Sequence, residues 1–241
     1  MDQPVPIVPT VELINDRATV MARFVDSLLR GKAQASACHE VAAAVLDVRA
    51  FVRAWRPAAS GGEGSTSSVD MGGQTQNSSE SSKKPSADVL LKLAQRGVQL
   101  HNNVRKLPQV RENALGETSG SSGSEWKSAT VAYLRAGAAS LVSLGSTSSA
   151  KDCANLCRLF SKAGELLVEE ARDDIRALEM FDDAEVFFRR LPGSYHGSGG
   201  QSSDMSSLSA EDLIMAVHKA LSRKIEILGR TTGSVDQVCL D

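Results

Sequence analysis

The chain has 241 residues, a formal net charge of −2 and an aromatic content of only 4%. This charge argues against a strongly basic surface for nucleic acid, although it leaves room for a local basic patch. Apolar residues make up 41% of the chain and are largely Ala, Leu and Val, a composition that favours packed helices over a β-sandwich.

The first ten residues, MDQPVPIVPT, lack the basic start and apolar core of a signal peptide. No stretch approaches the roughly 18 uninterrupted apolar residues that a membrane-spanning helix needs. We therefore expect a soluble intracellular protein without a membrane partner, of a length that allows one or two domains.

Two helical patterns occupy residues 1–57 and predict an N-terminal helical pair. In the first, apolar residues recur every three or four positions from Leu13 to Leu29, and Gly31 is the expected stop. The second pattern ends before Pro57. Its apolar stripe consists of Val41, Val45, Val48, Val52 and Trp55.

Three segments rich in Ser and Gly interrupt the helical patterns. The longest, residues 58–87, is the predicted linker, and two shorter inserts lie near residues 116–125 and 193–209. These segments contain few large apolar side chains, so burial cannot offset the entropy lost on ordering, and we predict that they are disordered. Inserts of this kind usually lengthen surface loops between helices.

The remaining helical patterns lie in residues 88–230, and a tail follows at 231–241. Ser86 is the expected N-cap of the first of these helices, and Ser209 with Asp212 forms an expected capping box at the start of the last. No segment alternates convincingly enough to predict a strand. The predicted fold class is therefore all-α.

Residues 159–193, LFSKAGELLVEEARDDIRALEMFDDAEVFFRRLPG, contain two predicted helices that follow the tetratricopeptide pattern. In that pattern, small residues let two antiparallel helices approach closely, and large residues fill the space between successive hairpins. The residues with a predicted structural role in repeat packing are Phe160, Ala163, Gly164 and Leu167 in the first helix, and Ala177, Phe181 and Ala184 in the second.

The match departs from the consensus because the joint between the helices is one residue longer and Pro192 comes late. A weaker match to the first-helix spacing occurs upstream, at Tyr133, Ala136, Gly137 and Ser140. These patterns predict antiparallel helical hairpins of tetratricopeptide-like solenoid type. The alternative is an ordinary helical bundle with small residues at its helix crossings.

No sequence pattern predicts a catalytic, cofactor-binding or metal-binding site. Cys153 and Cys157 share one face of a predicted helix, but no CxxC pair or His cluster accompanies them, so we predict buried free thiols. The histidines have neither the spacing of a metal motif nor an obvious nucleophile partner. They are His39, His101, His196 and His218.

Charged residues cluster near the predicted hairpin. The acidic residues of EEARDD and FDDAE, within residues 169–185, are predicted to lie in the helix joint and on a solvated face. Basic residues at Arg189–Arg190 and from Lys219 to Lys224 have no interleaved aromatic residues. We predict that they lie at helix ends and on exposed faces rather than in a nucleic-acid site.

From Ala87 onward, the order of helices resembles the N-terminal region of the meiosis-specific tetratricopeptide scaffold family of the Zip-four, Spo-twenty-two and Tex-eleven type. Residues 93–107, LAQRGVQLHNNVRKL, look like that family's Ala-, Val- and Leu-rich helix, with His101 and Asn102 where an aromatic residue and Asn are expected. WKSATVAYLRAGAASLV looks like the next helix, and residues 159–193 look like the first recognisable repeat. The early helix TVELINDRATVMARFVDSLL also suits the family's start.

The resemblance implies a non-enzymatic nuclear scaffold on meiotic chromosomes, which supports synapsis and crossover formation by binding other proteins. Its partners would be components of the chromosome axis or the synaptonemal complex, with no cofactor, no small-molecule substrate and no direct nucleic-acid binding. The residues alone leave two alternatives open. One is a general tetratricopeptide adaptor in trafficking or chaperone assemblies, located in the cytoplasm, and the other is a helical-bundle regulatory domain.

Overall fold

The structure, a computed structural model, describes residues 8–55, 85–107, 122–145, 149–191 and 210–238. These ranges contain seven α-helices and no strand, which confirms the all-α prediction. The helices are α1 (Val11–Leu29), α2 (Ser36–Trp55), α3 (Ala87–Val104), α4 (Ser122–Val142), α5 (Ala150–Leu166), α6 (Asp174–Arg189) and α7 (Ala210–Val238). A π-helical turn, Leu167–Ala171, follows α5 directly.

The ends of the first helix follow local sequence signals. The Thr10 side chain accepts a hydrogen bond from the backbone N–H of Leu13 at 3.3 Å, which satisfies one free donor of the first turn of α1. At the other end Gly31 has φ 65°, a left-handed conformation that glycine adopts without strain, so it is the predicted stop. Ser86 occupies the N-cap position of α3, but its side chain makes no capping hydrogen bond.

Two helices are longer than the sequence pattern predicted. α4 begins at Ser122, inside the predicted insert at 116–125, and α7 continues to Val238, past the predicted start of the tail. Ser, Gly and Thr are weak helix formers, so these turns carry no strong sequence signal, and each continues a longer helix that is already packed. Pro57, Pro192 and Ser209 lie outside the described residues, as do most of the predicted inserts.

Most consecutive helices pack against one another, the exception among the described helices being α2 and α3. α1 contacts α2 and α3, both α2 and α3 contact α4, and α4 contacts α5. α5 and α6 form a hairpin, and α7 packs against both of them. The buried side chains of all seven helices form a single hydrophobic core.

α4 lies in the middle of this arrangement, in contact with α2, α3, α5 and the π-helical turn. Ala132 and Ala136 lie on one side of the helix and Leu134, Ala138 and Leu141 on the other, and all five are fully buried. A helix that is apolar on all sides is expected only in the interior of a protein. Its buried Ser140 hydroxyl donates to the Ala136 carbonyl at 2.8 Å, so this polar group is satisfied inside the helix.

Two glycines mark close approaches to α4. A Cβ on Gly97 of α3 would lie 2.7 Å from the backbone nitrogen of Val142 and 2.7 Å from the Cβ of Leu141. A Cβ on Gly137 of α4 would instead lie 2.5 Å from the sulfur of Met21. The first obstacle is backbone, whereas the second is the end of a flexible side chain.

We expect Gly97→Ala to lower the free energy of unfolding by about 1–3 kcal/mol, because α3 must move away from α4 to admit the methyl group. This loss opposes the roughly 1 kcal/mol that Ala gains over Gly in an unhindered helix. Gly137→Ala is the comparison variant, and its loss should be smaller because the thioether of Met21 can change rotamer. Urea unfolding followed by circular dichroism measures both, and equal losses would contradict the expectation.

Candidate protein-interaction surface

The predicted repeat-packing residues all lie inside the α5–α6 hairpin. Phe160, Ala163, Leu167 and Ala177 are fully buried, and Phe181 and Ala184 are 1% and 2% exposed. Gly164 is also buried, and a Cβ placed on it would lie 2.7 Å from Cδ1 of Phe181. The small residue on α5 therefore faces the large ring on α6.

A pair of stacked aromatic rings also holds the two helices of the hairpin together. The rings of Phe160 and Phe187 stack with their centroids 5.7 Å apart and their planes within 8° of parallel. Both side chains are fully buried, and such pairs add about 0.5–1.5 kcal/mol to the burial of their area. Phe187 is not one of the predicted repeat-packing residues.

The joint between α5 and α6 contains the residue by which this segment exceeds the tetratricopeptide consensus. The chain widens into the π-helical turn Leu167–Ala171 and then reverses at Arg172, which has the left-handed φ of 53°. A π-helical turn takes one residue more than an α-helical one, so it accommodates a longer joint without unwinding α5. Asp173 then caps α6 by accepting a hydrogen bond from the backbone N–H of Arg176 at 3.1 Å.

The joint is also tied to the central helix. The Tyr133 hydroxyl of α4 donates to Oδ2 of Asp173 at 3.0 Å, and Arg176 both pairs with Asp173 and lies over the Tyr133 ring. Tyr133 belongs to the upstream segment that matches the first-helix spacing more weakly. The structure brings this segment into contact with the hairpin. Asp173 lies in the joint, as predicted for the acidic run.

Asp183 overturns part of the prediction for the same acidic run. It is 8% exposed rather than solvated, and it pairs with Arg49 of α2, which is 5% exposed. Glu179 approaches the Arg49 guanidinium at 3.4 Å and also pairs with Arg53 at 2.6 Å. The partner helix is more than a hundred residues away in the chain, so no local pattern could reveal that Asp183 is buried.

Ion pairs join α7 to the hairpin. Lys219 pairs with Glu165 of α5 at 3.2 Å, and Lys224 pairs with Asp182 and Glu185 of α6 at 2.7 and 3.0 Å. The hydrogen bond to Asp182 raises the pKa of Lys224 above its usual value. The basic run from Lys219 to Lys224 thus places α7 against the acidic faces of α5 and α6, which the sequence alone did not predict.

Apolar side chains lie on two faces of α7. One face carries Leu213, Val217, Ala220 and Ile227, which are buried at 5% exposure or less. The other carries a second set, here termed the α7 apolar surface. It consists of Ile214 (38% exposed), Leu221 (36%), Ile225 (70%) and Leu228 (44%).

The spacing of the α7 apolar surface has the form of a helix–helix seam. Ile214, Leu221, Ile225 and Leu228 follow one another at intervals of seven, four and three residues. Apolar residues at this spacing form a continuous stripe along a helix and pack against a second helix in coiled coils. The neighbouring face of α7 packs on α5 and α6, and among the described residues this stripe stays exposed.

The thiols of α5 are buried, as predicted. Cys153 is 3% exposed and Cys157 is fully buried. Burial raises the pKa of the Cys157 thiol to about 12, and burial together with the Asp173 carboxylate raises the pKa of Tyr133 to about 12. A thiol with so high a pKa is protonated at neutral pH and is therefore a poor nucleophile.

We expect the free energy of unfolding to fall between about pH 9 and pH 12. The unfolded chain loses the Cys157 proton near pH 9 and the Tyr133 proton near pH 10, whereas the folded protein retains both, so raising the pH favours unfolding. Cys157→Ala should flatten the first part of this decline, and Tyr133→Phe the later part. Urea unfolding at half-unit pH steps measures the slopes, and unchanged slopes in both variants would contradict the assignment.

The histidines do not converge on one cleft. His101 lines a cavity with arginine and lysine side chains, His39 and His218 are exposed on other helices, and His196 lies outside the described residues. In the part of the chain that the structure describes, no group of three or more His, Cys, Asp and Glu residues is arranged to hold a metal ion. Among the described helices, none combines the length and the hydropathy that a membrane span requires.

The described ranges thus define an all-α protein with one core and an exposed apolar face on its last helix. Comparisons with protein-family models, with curated proteins and with solved structures find no match to this chain.

Proposed function

We propose that this chain is a non-enzymatic scaffold that binds other proteins, and that its α7 apolar surface receives a helix from a partner protein. The observation that carries the proposal is the exposure of Ile225 and Leu228 on a helix whose other face is buried. Exposed apolar patches on a folded protein commonly mark interaction sites. The heptad-like spacing specifies the partner's chemistry, which is an amphipathic helix with apolar residues at matching intervals.

We further propose that the helices form tetratricopeptide-like hairpins, paired as α1–α2, α3–α4 and α5–α6. Sequential contacts between neighbouring helices support this arrangement, as does the fit of Gly164 against Phe181. In a solenoid each repeat contacts only its neighbours, and an apolar outer face of one element is covered by another. The α7 apolar surface is such a face, and it is uncovered among the described residues.

One observation favours the second candidate, a compact helical-bundle regulatory domain. The ion pair between Arg49 of α2 and Asp183 of α6 joins the first proposed hairpin to the third. A linear array of repeats does not require a contact between non-neighbouring hairpins. A crystal structure with an additional hairpin packed on α7 would favour the solenoid, whereas a partner bound without extending the array would favour the bundle.

The resemblance of the helix order to the meiotic scaffold family leads us to propose that the partners are chromosome-axis or synapsis components and that the protein acts in the nucleus. Imaging of the tagged protein in cells entering meiosis tests this assignment. Signal along chromosomes during synapsis, with crossover defects on loss of the protein, is expected. Equal expression outside meiosis together with normal crossovers would refute the meiotic role and favour a general tetratricopeptide adaptor.

Binding through α7 is tested by the double substitution Ile225→Glu and Leu228→Glu. We expect a tenfold or greater loss of affinity for each partner identified by crosslinking, because two carboxylates would be desolvated in the apolar contact. The thermal midpoint should change little, since both side chains are exposed in the unbound protein. The matched control is Leu91→Glu on α3, where a leucine is 48% exposed away from α7. Equal losses for both variants would contradict the assignment of the surface.

A further inference from the structure

A small cavity between α3, α4 and α5 is lined almost entirely by basic side chains. It has a volume of about 200 Å³, and its lining residues are His101, Arg105, Arg135, Arg158, Leu159 and Lys162. The end of α3 contributes the first two, the middle of α4 contributes Arg135, and α5 contributes the rest. None of the described lining residues is acidic.

Arg135 shows that this cluster is incompletely satisfied. Its Nε is buried and has no hydrogen-bond partner, although a buried guanidinium N–H normally has one. Across the described ranges, no carboxylate pairs with Arg135 or with Arg105. Burial and the neighbouring Arg105 lower the pKa of Arg135, as expected where cations face one another without a counter-ion.

The positive charge of Lys162, on the α5 side of the cavity, is only partly neutralised. Lys162 pairs with Glu165 at 3.1 Å, and Glu165 is also paired with Lys219 of α7, so a single carboxylate serves two lysines. Arg105 and Arg135 therefore supply positive charge that no carboxylate of the described ranges balances. The net charge of the whole chain is −2. The positive charge is therefore local to this cavity and is not a general property of the protein surface.

We propose that this cavity is a binding site for a phosphate group, held by the guanidinium groups of Arg105, Arg135 and Arg158. A phosphate dianion offers several acceptor oxygens, and planar guanidinium forks match them better than any other side chain does. The volume is below the roughly 300–1,000 Å³ of pockets for drug-sized ligands, and the described lining contains no Phe, Tyr or Trp ring. The site therefore suits one phosphate group, either free or as an ester on a side chain of a partner protein.

This inference is independent of the scaffold function, because the cavity lies on helices other than α7 and its test uses no partner protein. Titration of the full chain with inorganic phosphate, at constant ionic strength maintained with sodium chloride, should give saturable binding by calorimetry. A second arm uses a short peptide containing phosphoserine, with the unphosphorylated peptide as its control. Saturation by inorganic phosphate alone identifies the free anion as the ligand, and saturation by the phosphopeptide identifies the side-chain ester.

Arg135→Gln should weaken phosphate binding at least tenfold, because it removes the charge and the unpaired Nε together. Arg105→Gln is the second variant, since Arg105 is exposed and its replacement should not disturb folding. The matched control is Arg23→Gln on α1, an exposed arginine outside the cavity, which should bind phosphate as the wild type does. Equal weakening in all three variants, or a linear response without saturation, would overturn the proposal.

His101 gives a readout that is specific to this position. Burial and the charges of Arg135 and Arg105 lower its pKa, and Arg158 and Lys162 face the same space from α5. A bound anion would favour the imidazolium, so saturating phosphate should raise the pKa of His101 measured by proton NMR. His39, which is exposed on α2 outside the cavity, is the control residue for nonspecific effects of the anion. A pKa of His101 that does not change with phosphate would show that the anion does not occupy this cavity.

Discussion

Arg49→Gln is expected to lower the free energy of unfolding by about 3–5 kcal/mol. The substitution removes the cation that pairs with Asp183 and Glu179, and Asp183 then keeps a buried negative charge without this partner. Breaking a buried pair by removing one member costs far more than the pair contributes, because the remaining charge is poorly solvated. Urea unfolding monitored by circular dichroism gives the free energy directly.

Two further variants separate burial from charge. Arg17→Gln removes an ion pair with Asp47 whose side chains are 35% and 31% exposed, and it should cost less than about 1 kcal/mol. The double variant Arg49→Met and Asp183→Leu should recover much of the loss, since it leaves fewer unpaired charges in the interface. A loss for Arg49→Gln no larger than that for Arg17→Gln would show that α2 and α6 are not in contact in solution.

Phe181→Ala is expected to cost about 3–5 kcal/mol, because it removes a ring that is 1% exposed and leaves a void between α5 and α6. The same ring opposes any side chain at Gly164. Gly164→Ala alone should therefore destabilise the protein, although Ala is the better helix former by roughly 1 kcal/mol. Thermal and urea unfolding of each single variant provide the two reference values.

The double variant reverses the sign of the glycine substitution. With the Phe181 ring absent, the methyl group of Gly164→Ala has room, so adding it to Phe181→Ala should raise stability by up to about 1 kcal/mol. Only direct contact between the two positions produces this reversal. Additive losses in the double variant would contradict the hairpin packing that both the solenoid and the bundle require.

Helix positions and buried stripes were largely predictable from local patterns. The three- and four-residue spacing located α1 and α2, and Gly31 marked the end of α1 because its left-handed conformation suits glycine. The pairing of small and large residues in residues 159–193 singled out side chains that are all buried, since close helix contact requires small residues opposite large ones. The early start of α4 was missed because its first turn consists of weak helix formers.

Local sequence patterns predicted less about the two candidate sites than about the helices. The α7 apolar surface is visible as a heptad-like spacing, but the same pattern equally predicts a buried face. Only the docking of α7 through Leu213, Val217 and Ile227 shows which stripe remains exposed. The basic cavity has no sequence signature at all, because its arginines come from three helices and are far apart in the chain.

The amino-acid sequence by itself determined the all-α class, most helix boundaries and the buried small residues of the α5–α6 hairpin, because capping and periodicity depend on neighbours within a few positions. Only the tertiary structure decided that Asp183 is buried against Arg49, that Lys224 joins α7 to α6, and that the basic cavity exists. The physical reason is that charge pairing and cavity lining depend on which helices lie side by side. That arrangement is set by the packing of the whole core rather than by any local run of residues.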